Sequence, residues 1–585
     1  MEETMYGQGA NMGETWMRQP PSHPSLRSHA SAATQQTDMT AIPLKDLENA
    51  TTAPTVDPRS HMVYLHGWTF YALTFAICLA LFLSTLEITI VSTALVSISD
   101  DLHGFHKSSW LITSYLLTYT GFLIIIAKLS DIFGRKPAMI SAIAVFLVFS
   151  AGCGGVKTLS QLIVLRAFQG IGAGGIYTLS FVIAAELVPV TKFAGIAALL
   201  SAVFALSSLL GPLLGGLICD HTTWRWVFYL NIPAAIVSLA LIVLLMPHDF
   251  PFMGRPEHSN SKHSLASVRK IDFIGATTLL AASVLLVAAL EEGGTEYSWT
   301  SAVPLVLLTL SVFAWIAFFV RERMQSKKKV DFESVLPWHL VTNRFWASMV
   351  LHAFFTGIAY LTMVIDLPQK FQVVNGDSAF KAGYRLLALM MSFSLAAIVS
   401  SILTEKKRVP PMYTLFAAAS LQILGLALMT TLSTTSHAFP PAQYGYEILM
   451  GFGFGLSIST LIMSIHLVAT QHDGAVTMGA IAQARTMGGS IGISICTNLL
   501  NDHVKTGLKG HLAKQYIDAL LASATTIQRI LPEQLPLVRR VYSEGYRQQA
   551  VALTAFSGAA LLVVVLMWER RPRRIAAPPP SLGKG

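Results

Sequence analysis

The stretch AKLSDIFGRKP, Ala127–Pro137, places four charged residues within eleven positions of an otherwise apolar region. About twenty residues before it and about twenty after it are mostly apolar, long enough on each side for one membrane-spanning helix. The charges surround a Gly-Arg-Lys-Pro turn. The stretch therefore predicts a tight, charged loop that joins two membrane-spanning helices into a hairpin.

The composition of the whole chain supports this interpretation. Of 585 residues, 53% are hydrophobic and 12% are charged, whereas a soluble globular protein has about 25% charged residues. The apolar residues form blocks that can cross a hydrocarbon core about 30 Å thick. Because backbone groups in lipid must be hydrogen-bonded within the chain, each block should be a helix. The sequence predicts an all-α, multi-pass membrane protein.

Fourteen apolar blocks can be counted along the sequence. Lys and Arg concentrate in alternate loops, a bias that marks the cytosolic side and places both termini there. The loop 501–548 is an exception, because the count of fourteen spans places it on the extracellular side although it is basic. Long loops follow the charge rule poorly. The blocks cover residues 68–92, 108–129, 137–156, 161–187, 193–218, 227–246, 271–290, 302–320, 345–366, 384–403, 412–432, 443–468, 474–500 and 549–567.

The sequence also repeats itself. RAFQGIGAG, which begins at Arg166, matches EILMGFGFG, which begins at Glu447, at an offset of 447 − 166 = 281 residues. Internal repeats of this kind mark many secondary transporters, whose binding site lies where the repeats meet. We therefore expect two six-helix bundles with two inserted helices.

This organisation divides the chain into five parts. The predicted parts are a disordered cytosolic tail, 1–63; a first six-helix bundle, 64–247; a cytosolic loop with two extra spans, 248–330; a second bundle, 331–568, with the long extracellular loop 501–548; and a basic cytosolic tail, 569–585.

Among the charged residues that fall inside apolar blocks, Glu87, Arg166 and Glu447 are the candidates for proton coupling. A charge within a span is costly, so it usually faces a polar cavity or a partner. Burial disfavours the charged form of a carboxyl, so Glu87 is a candidate to take up and release protons. The alternative is a carboxylate permanently paired with a basic group, and for Arg166 it is a side chain that reaches the membrane interface. Asp366 is expected at the interface.

Small residues and proline define a second feature, SSLLGPLLGG, Ser207–Gly216, in the fifth block. A proline inside a helix removes one hydrogen bond and kinks or loosens the helix. Glycines beside it allow a neighbouring helix to approach closely. We expect a hinge formed by Gly211, Pro212, Gly215 and Gly216, with a static kink as the alternative.

Several classes of function are not supported by the sequence. It has no P-loop, zinc-protease motif, dinucleotide fingerprint or nucleophile elbow in context, so no catalytic residue, metal or cofactor is expected. The net charge of +9 is explained by the loop bias, and no nucleic-acid surface is evident. The spacing of the four cysteines suits neither zinc nor disulfides. Energy for transport would come from an ion gradient or the substrate's own gradient.

These motifs together resemble the major facilitator superfamily, in particular its fourteen-span drug:proton antiporter branch as found in fungi. AKLSDIFGRKP is similar to the signature between spans two and three, and RAFQGIGAGG to that of span four. SSLLGPLLGG is similar to the span-five signature of proton-coupled exporters. LEITIVSTAL, WRWVFYLNIP and LPQKFQ also resemble that branch. The departures are Ala127 and Ser207, where glycine is usual, and Glu87, where many members have Asp.

The resemblance implies roles for particular residues. It implies proton binding at Glu87, with Arg166 lining the central cavity and coupling to proton movement. From the repeat we add the hypothesis that Arg166 and Glu447 interact in one state. A cytosolic gate between the two halves would be formed by Asp131, Gly134, Arg135 and Lys136. Further candidates for the cavity are Gln169, Gln372, Gln483 and Arg485.

The predicted function is proton-coupled efflux of hydrophobic small organic molecules, such as drugs, toxins or secondary metabolites, across a fungal plasma membrane. The alternatives are a siderophore carrier, a vacuolar basic amino-acid carrier and, in another class, a non-transporting membrane sensor. The tail after the last span, about 18 residues, disfavours the sensor. The expected partners are a small-molecule substrate and membrane lipids, without nucleic acid, and the protein is expected to be a monomer.

Overall fold

A computed structural model describes the chain from residue 65 to residue 573 with several gaps. The predicted tail 1–63, the loop 251–271 and most of the basic tail lie outside the described residues. The described ranges are 65–104, 107–188, 193–248, 250, 272–294, 297–327, 335–435, 438–468, 474–522, 533–570 and 572–573.

The described residues form helices and connecting turns, without strands, as predicted. In chain order the helices are α1 Trp68–Asp101, α2 Ser108–Phe133, α3 Arg135–Gly154, α4 Leu159–Leu187, α5 Phe193–His221, the short α6 Trp226–Tyr229, α7 Asn231–Leu245, α8 Phe273–Glu292, α9 Ala302–Lys327, the short α10 Trp338–Val341, α11 Arg344–Val373, α12 Ala379–Ser401, α13 Pro411–Met429, α14 Ala442–Met463, α15 Gly474–Leu508, α16 Lys514–Ala522 and α17 Leu535–Val565. A π-helical turn, Ile402–Lys406, follows α12, and a 3₁₀ turn, Ser464–Leu467, follows α14.

Twelve spans among the described residues are long and apolar enough to cross a membrane. Two further long helices, α2 with 26 residues and α15 with 35 residues, occupy the positions of predicted blocks two and thirteen but are not among the twelve. The all-helical membrane fold is therefore confirmed, while the count of fourteen spans stays a prediction.

The predicted long loop, 501–548, is largely helical, which corrects the sequence-based boundary. Helix α15 continues to Leu508, α16 covers Lys514–Ala522, and α17 begins at Leu535 rather than at 549. The ends of α15 and α17 carry many charged and polar residues. Hydropathy marks only the part of a helix that lies in lipid, so such polar extensions were assigned to a loop.

The internal repeat is also present in the packing of the helices. In the first half, Gly170 and Gly174 of α4 lie against the backbone of α2, and Gly172 lies against α3. In the second half, the equivalent glycines of α14, Gly451 and Gly455, lie against the backbone of α12, and Gly453 lies against α13. Glycine at these positions removes the side chain that would separate the helices. The same three-helix contact is therefore built twice.

Helices α5 and α12 form one contact between the two halves. The proline-glycine motif supplies this contact, because Gly216 lies against Ala379 and Gly383 of α12 lies against the carbonyl of Pro212. At the end of α5, the Asp220 carboxylate accepts hydrogen bonds from the first two backbone N–H groups of α12, at 3.1 Å each. Helix α5 itself is continuous through Pro212. The contact is observed, whereas hinge motion there stays a prediction.

The first inserted helix, α8, also contacts both halves. Near its end, Glu291 is only 3% exposed. One of its carboxylate oxygens accepts a hydrogen bond from Ser109 of α2, and the other accepts one from Ser494 of α15, both at 2.6 Å. A single buried carboxyl of the insert thus joins a helix of the first half to a helix of the second half.

Candidate functional site

The buried charges of the first half form an ion pair between α1 and α4. Glu87 lies in the middle of α1, and Arg166 lies two turns into α4. Their closest atoms, Glu87 Oε1 and Arg166 Nη1, are 2.6 Å apart. The two side chains are 0% and 1% exposed, respectively. Charges this deeply buried are stable only when they are paired and hydrogen-bonded.

Further hydrogen bonds hold the pair in place. The second oxygen of Glu87, Oε2, accepts a hydrogen bond from Asn231 Nδ2 at 2.7 Å. Arg166 donates from Nε to the carbonyl of Leu111 and from Nη1 to Gln169, both at 3.0 Å. The guanidinium also lies 4.2 Å from the ring centroid of Tyr115, close enough for a cation–π interaction. Four helices, α1, α2, α4 and α7, thus meet at one charge pair.

This geometry decides several sequence-based alternatives. Glu87 is paired with a basic group, and Arg166 points to that partner rather than to the membrane interface. Gln169 was predicted to line the central cavity, but it is 0% exposed and donates to Ser150 of α3 at 2.7 Å while accepting from Arg166. The structure therefore corrects its role: Gln169 positions the arginine from inside the first bundle.

The hypothesis that Arg166 pairs with Glu447 does not describe this conformation. The ion pair of Arg166 is with Glu87. Glu447, on α14, accepts a hydrogen bond from Gln443 at 3.0 Å and is 0% exposed. The two residues are equivalent in the repeat, but each belongs to the charge cluster of its own half.

The second half has its own cluster of buried charges. Asp366 and Lys370 lie one turn apart on α11, and Lys370 lies near Glu447 of α14 without forming an ion pair with it in the described part of the chain. Asp366 was expected at the membrane interface, but it is 6% exposed. The sequence placed it at the end of an apolar block, whereas α11 continues to Val373 and buries it. The sequence analysis therefore underestimated how deeply Asp366 is buried.

The basic turn between α2 and α3 makes contacts within the first half. Arg135, at the start of α3, donates to both carboxylate oxygens of Glu186 near the end of α4, at 2.7 and 3.0 Å. Lys136 donates to the carbonyls of Val243 and Met246 at the end of α7, at 2.8 and 2.6 Å. Cations stabilise the carbonyl-rich ends of helices.

These contacts correct the predicted gate. We expected the basic turn to hold the two halves together, but the described contacts of Arg135 and Lys136 join α3 to α4 and α7 of the same half. Gly134 has φ of 96° and ψ of 155°, a conformation that favours glycine and allows α3 to begin directly after α2. The side chain of Asp131 lies outside the described residues. A role of this turn in gating stays a prediction.

A small cavity lies between the two halves. Tyr177 of α4 faces residues of α14 and α15 across it, and Arg485, one of the predicted cavity residues, is the charged group among the described residues that line it. Two other predicted cavity residues lie elsewhere: Gln372 donates to the carbonyl of Thr93 at 3.2 Å, and Gln483 is 9% exposed and not in this lining. The lining residues are Tyr177, Ile458, Leu461, Ile462, Ile465, Met478, Ile481, Ala482 and Arg485.

Sequence reasoning missed several residues of these clusters. Asn231 stands within the WRWVFYLNIP motif, whose Arg, Asn and Pro an aromatic belt does not explain, so a signal for it existed. Glu186 precedes Pro189 near a span end, a position that suits a helix-end cap or a water-facing group, and its partner Arg135 could not be identified from spacing. Tyr115 and Lys370 gave no signal, because one aromatic residue or one lysine near a span end is common in membrane helices.

Comparison with known proteins identifies related chains. The family model described as Major Facilitator Superfamily matches residues 77–290 and 271–493. The MFS-type transporter FPY5 of Fusarium mangiferae is 46% identical over 524 residues, which cover 89% of this chain and 87% of that protein. The efflux pump roqT of Penicillium rubens is 32% identical, with 86% and 92% covered.

A solved structure shows the same fold. A bacterial homologue of the human lysosomal transporter Spinster, in an inward-facing and unoccupied conformation, superposes with a TM-score of 0.60. The alignment covers 87% of this chain and all of that chain, with 14% sequence identity. At this identity the likeness concerns the fold alone.

Proposed function

We propose that this chain, which belongs to the Major Facilitator Superfamily, couples the efflux of hydrophobic small organic molecules to proton entry by alternating access. The family and its relatives make the chain a multi-pass membrane transporter of the efflux-pump type rather than an enzyme. Proton coupling and the class of substrate are the parts that we propose.

The observation that carries the proposal is the buried pair of Glu87 and Arg166, whose closest atoms are 2.6 Å apart. Protonation of Glu87 would remove its charge and leave the Arg166 guanidinium without its counter-charge. Because Glu87 also binds Asn231 of α7, a change in its protonation acts on three helices of the first half at once. Arg166 and Asn231 are thus positioned to convert a proton-binding event into helix movement.

A proton gradient provides sufficient energy for this coupling. One elementary charge that moves down 100 mV yields about 2.3 kcal/mol, and each pH unit adds about 1.4 kcal/mol. Because breaking a buried ion pair costs about 3–5 kcal/mol, the driving force of one proton is of the same order as the cost of separating Glu87 from Arg166.

The cavity between the two halves supports an apolar substrate. Its described lining is mostly aliphatic, with Tyr177 and Arg485 as the residues that carry polar groups. Small-molecule sites are typically apolar with a few polar groups that orient the ligand. Arg485 is suited to a carbonyl, hydroxyl or acidic group on such a molecule. The similarity to a Penicillium efflux pump favours export, and we propose the plasma membrane, with both termini cytosolic.

Alternating access requires two contacts between the halves that open in turn. Our candidate for the outer contact is the one between α5 and α12. It includes Gly216, Gly383 and the Asp220 carboxylate that caps α12. We propose that Pro212 loosens α5 so that this contact can separate. The transporter would work as a monomer in the lipid bilayer, powered by the proton gradient without a bound cofactor.

The proposal can be tested with purified protein in proteoliposomes. A panel of hydrophobic fluorescent dyes would be offered with and without an imposed pH gradient, to the parent and to Glu87→Gln. We expect gradient-driven dye accumulation in the parent and its loss in the variant, with gradient-independent dye exchange retained. Asp518→Asn, which changes an exposed carboxyl on α16, is the matched control. Equal gradient-driven accumulation by Glu87→Gln and the parent would refute the coupling.

A further inference from the structure

One buried side chain fixes the inserted helix α8 to both halves of the protein. Glu291 stands one residue before the end of α8 and is buried. Ser109 of α2 and Ser494 of α15 donate hydrogen bonds to different oxygens of its carboxyl group, both at 2.6 Å. Both serine side chains are buried as well. Water therefore does not compete for these hydrogen bonds, which strengthens them relative to hydrogen bonds at the surface.

Apolar side chains of the same three helices pack together beside this bridge. Leu117 of α2, Val287 of α8 and Ile491 of α15 belong to one cluster of buried residues. One turn further along, the hydroxyl groups of Thr120 of α2 and Thr486 of α15 are hydrogen-bonded directly to each other. Helix α8 therefore lies along a contact between the two halves, and Glu291 lies at the end of that contact nearest to the start of α2.

Other polar contacts of α8 attach it to one neighbour at a time. The side-chain amide of Asn498, on α15, donates to the carbonyl of Leu290 at 2.5 Å. Ser311, on the second inserted helix α9, donates to the carbonyl of Ala282 at 2.8 Å. These contacts can persist while the halves move relative to each other, because each of them involves only one half or only the insert. The bridge at Glu291 involves both halves.

Alternating access requires α2 and α15 to separate at one end of their contact. When they separate at the end where Ser109 and Ser494 lie, Glu291 can remain beside only one of the two serines. At least one of its two hydrogen bonds must then break. With both termini in the cytosol, as proposed above, this end faces the extracellular side, where the contact of α5 with α12 also lies.

We propose that Glu291 is a positioning residue that holds α2 and α15 together, so that the inserted helix α8 acts as a latch on the extracellular side of the transporter. The proposal rests on the alternating access of the proposed function, but not on its proton coupling or on its substrate. In the conformation described the latch is closed. The transport cycle opens it by exchanging one serine–carboxyl hydrogen bond for hydrogen bonds to water.

Distances between two spin labels measure the state of this latch directly. Labels would be attached through Ser160→Cys, at the exposed start of α4, and Thr506→Cys, on an exposed position near the end of α15. A cysteine-free background in lipid nanodiscs, with neither dye nor pH gradient, would be studied by double electron–electron resonance. In Glu291→Leu, whose side chain has a similar size and no hydrogen-bonding group, we expect the ratio of separated to closed molecules to rise about tenfold.

The conservative variant and a matched control separate hydrogen bonding from packing. In Glu291→Gln the side-chain amide can still bond both serine hydroxyls, so we expect the distances of the parent. Ser283→Ala is the control within α8, because the Ser283 hydroxyl lies 3.6 Å from the sulfur of Met487 on α15 and so contacts one half alone. We expect it to leave the distances unchanged. Equal shifts in Glu291→Gln and Glu291→Leu would overturn the proposal.

Ser109→Ala provides a second test if Glu291→Leu fails to fold. It removes only the hydrogen bond from α2, and we expect a shift toward separated molecules in the same direction. Distances that match those of the parent, in whichever of the two variants folds, would show that the bridge does not hold the halves together. Because no gradient is imposed, failure of the proton coupling at Glu87 would leave these distances unaffected, so the two failures are distinguishable.

Discussion

The two halves of this transporter have the same helix packing but different charge clusters. In the first half both oxygens of Glu87 are bonded, one to Arg166 and the other to Asn231. In the second half Glu447 has one bonded oxygen and one without a hydrogen bond among the described residues. Asp366 likewise has Oδ2 unbonded there. In the first cluster the carboxylate is fully bonded and only Arg166 Nη2 has no hydrogen bond among the described residues, whereas in the second each carboxyl has an unbonded oxygen there.

This difference shows which parts of a repeat must be kept and which can change. The glycines of α4 and α14 occupy equivalent positions, because any side chain there would collide with a neighbouring backbone. A charge requires only a partner of opposite sign within reach, so an acid and a base can exchange helices. Variants in each half test whether the two clusters differ in energy as they do in geometry.

The largest effect is expected from Arg166→Met. This change leaves Glu87 as a buried carboxyl without its cation, and breaking such a pair costs about 3–5 kcal/mol. We expect a clearly lower thermal unfolding midpoint and no gradient-driven dye export. The double variant Glu87→Gln/Arg166→Met should recover most of the stability but not the export, because it contains no unpaired charge. If Arg166→Met alone were as stable as the parent, the ion pair would not stabilise the first half.

Alanine at the repeated glycines should have an intermediate effect, and the same effect in both halves. In Gly170→Ala the added methyl meets the carbonyl of Tyr115, and in Gly451→Ala it meets the carbonyl of Leu389. Overpacking of this kind costs about 1–3 kcal/mol. Gly445→Ala in α14 is the control, because its methyl would enter open space. If Gly170→Ala and Gly451→Ala lowered the thermal unfolding midpoint by clearly different amounts, the two halves would not be equivalent at these positions.

Lys370→Met should destabilise the protein less than Arg166→Met. Glu447 is attracted by Lys370 but forms no described ion pair with it, and it can bind a proton when the ammonium is removed. We expect a loss well below the about 3–5 kcal/mol of an intact buried pair, measured by the same thermal unfolding series. A loss equal to that of Arg166→Met would mean that the second cluster is as tightly paired as the first.

The smallest effect on stability is expected from Asp366→Asn. An amide of nearly the same shape replaces a side chain whose Oδ2 atom has no hydrogen bond among the described residues, so no ion pair is lost. We expect the free energy of unfolding to change by less than about 1 kcal/mol. A large loss of stability, measured beside Asp518→Asn, would indicate that Asp366 is an ionised and paired group.

Much of the fold followed from the sequence, because it depends on local properties. Block length and low charge predicted membrane helices, and the glycine repeat predicted two equivalent bundles. The predicted loop 501–548 was the clearest error of boundary, because polar helix ends outside lipid have the composition of a loop. The prediction that Glu87 and Arg166 lie inside spans needed only their position within apolar blocks, and both are buried.

The partners of the charged residues could not be predicted in the same way. Arg166 had two acidic candidates, Glu87 and Glu447, and only the packing of α1 against α4 selects Glu87. Arg135 and Lys136 were expected between the halves, but the ends of α4 and α7 lie closer and present their own acceptors. A charge takes the nearest suitable partner, and which partner is nearest depends on how the helices assemble.

The amino-acid sequence by itself determined that this protein is a helical membrane transporter of repeated architecture, since hydrophobicity, loop charge and glycine spacing act within one helix or its immediate neighbours. The tertiary structure alone decided that the first half contains a closed pair of Glu87 and Arg166, while the second holds Lys370 near Glu447 and leaves Asp366 in a cavity. Ion pairing operates over a few ångströms between helices far apart in sequence, so it is settled only when those helices pack.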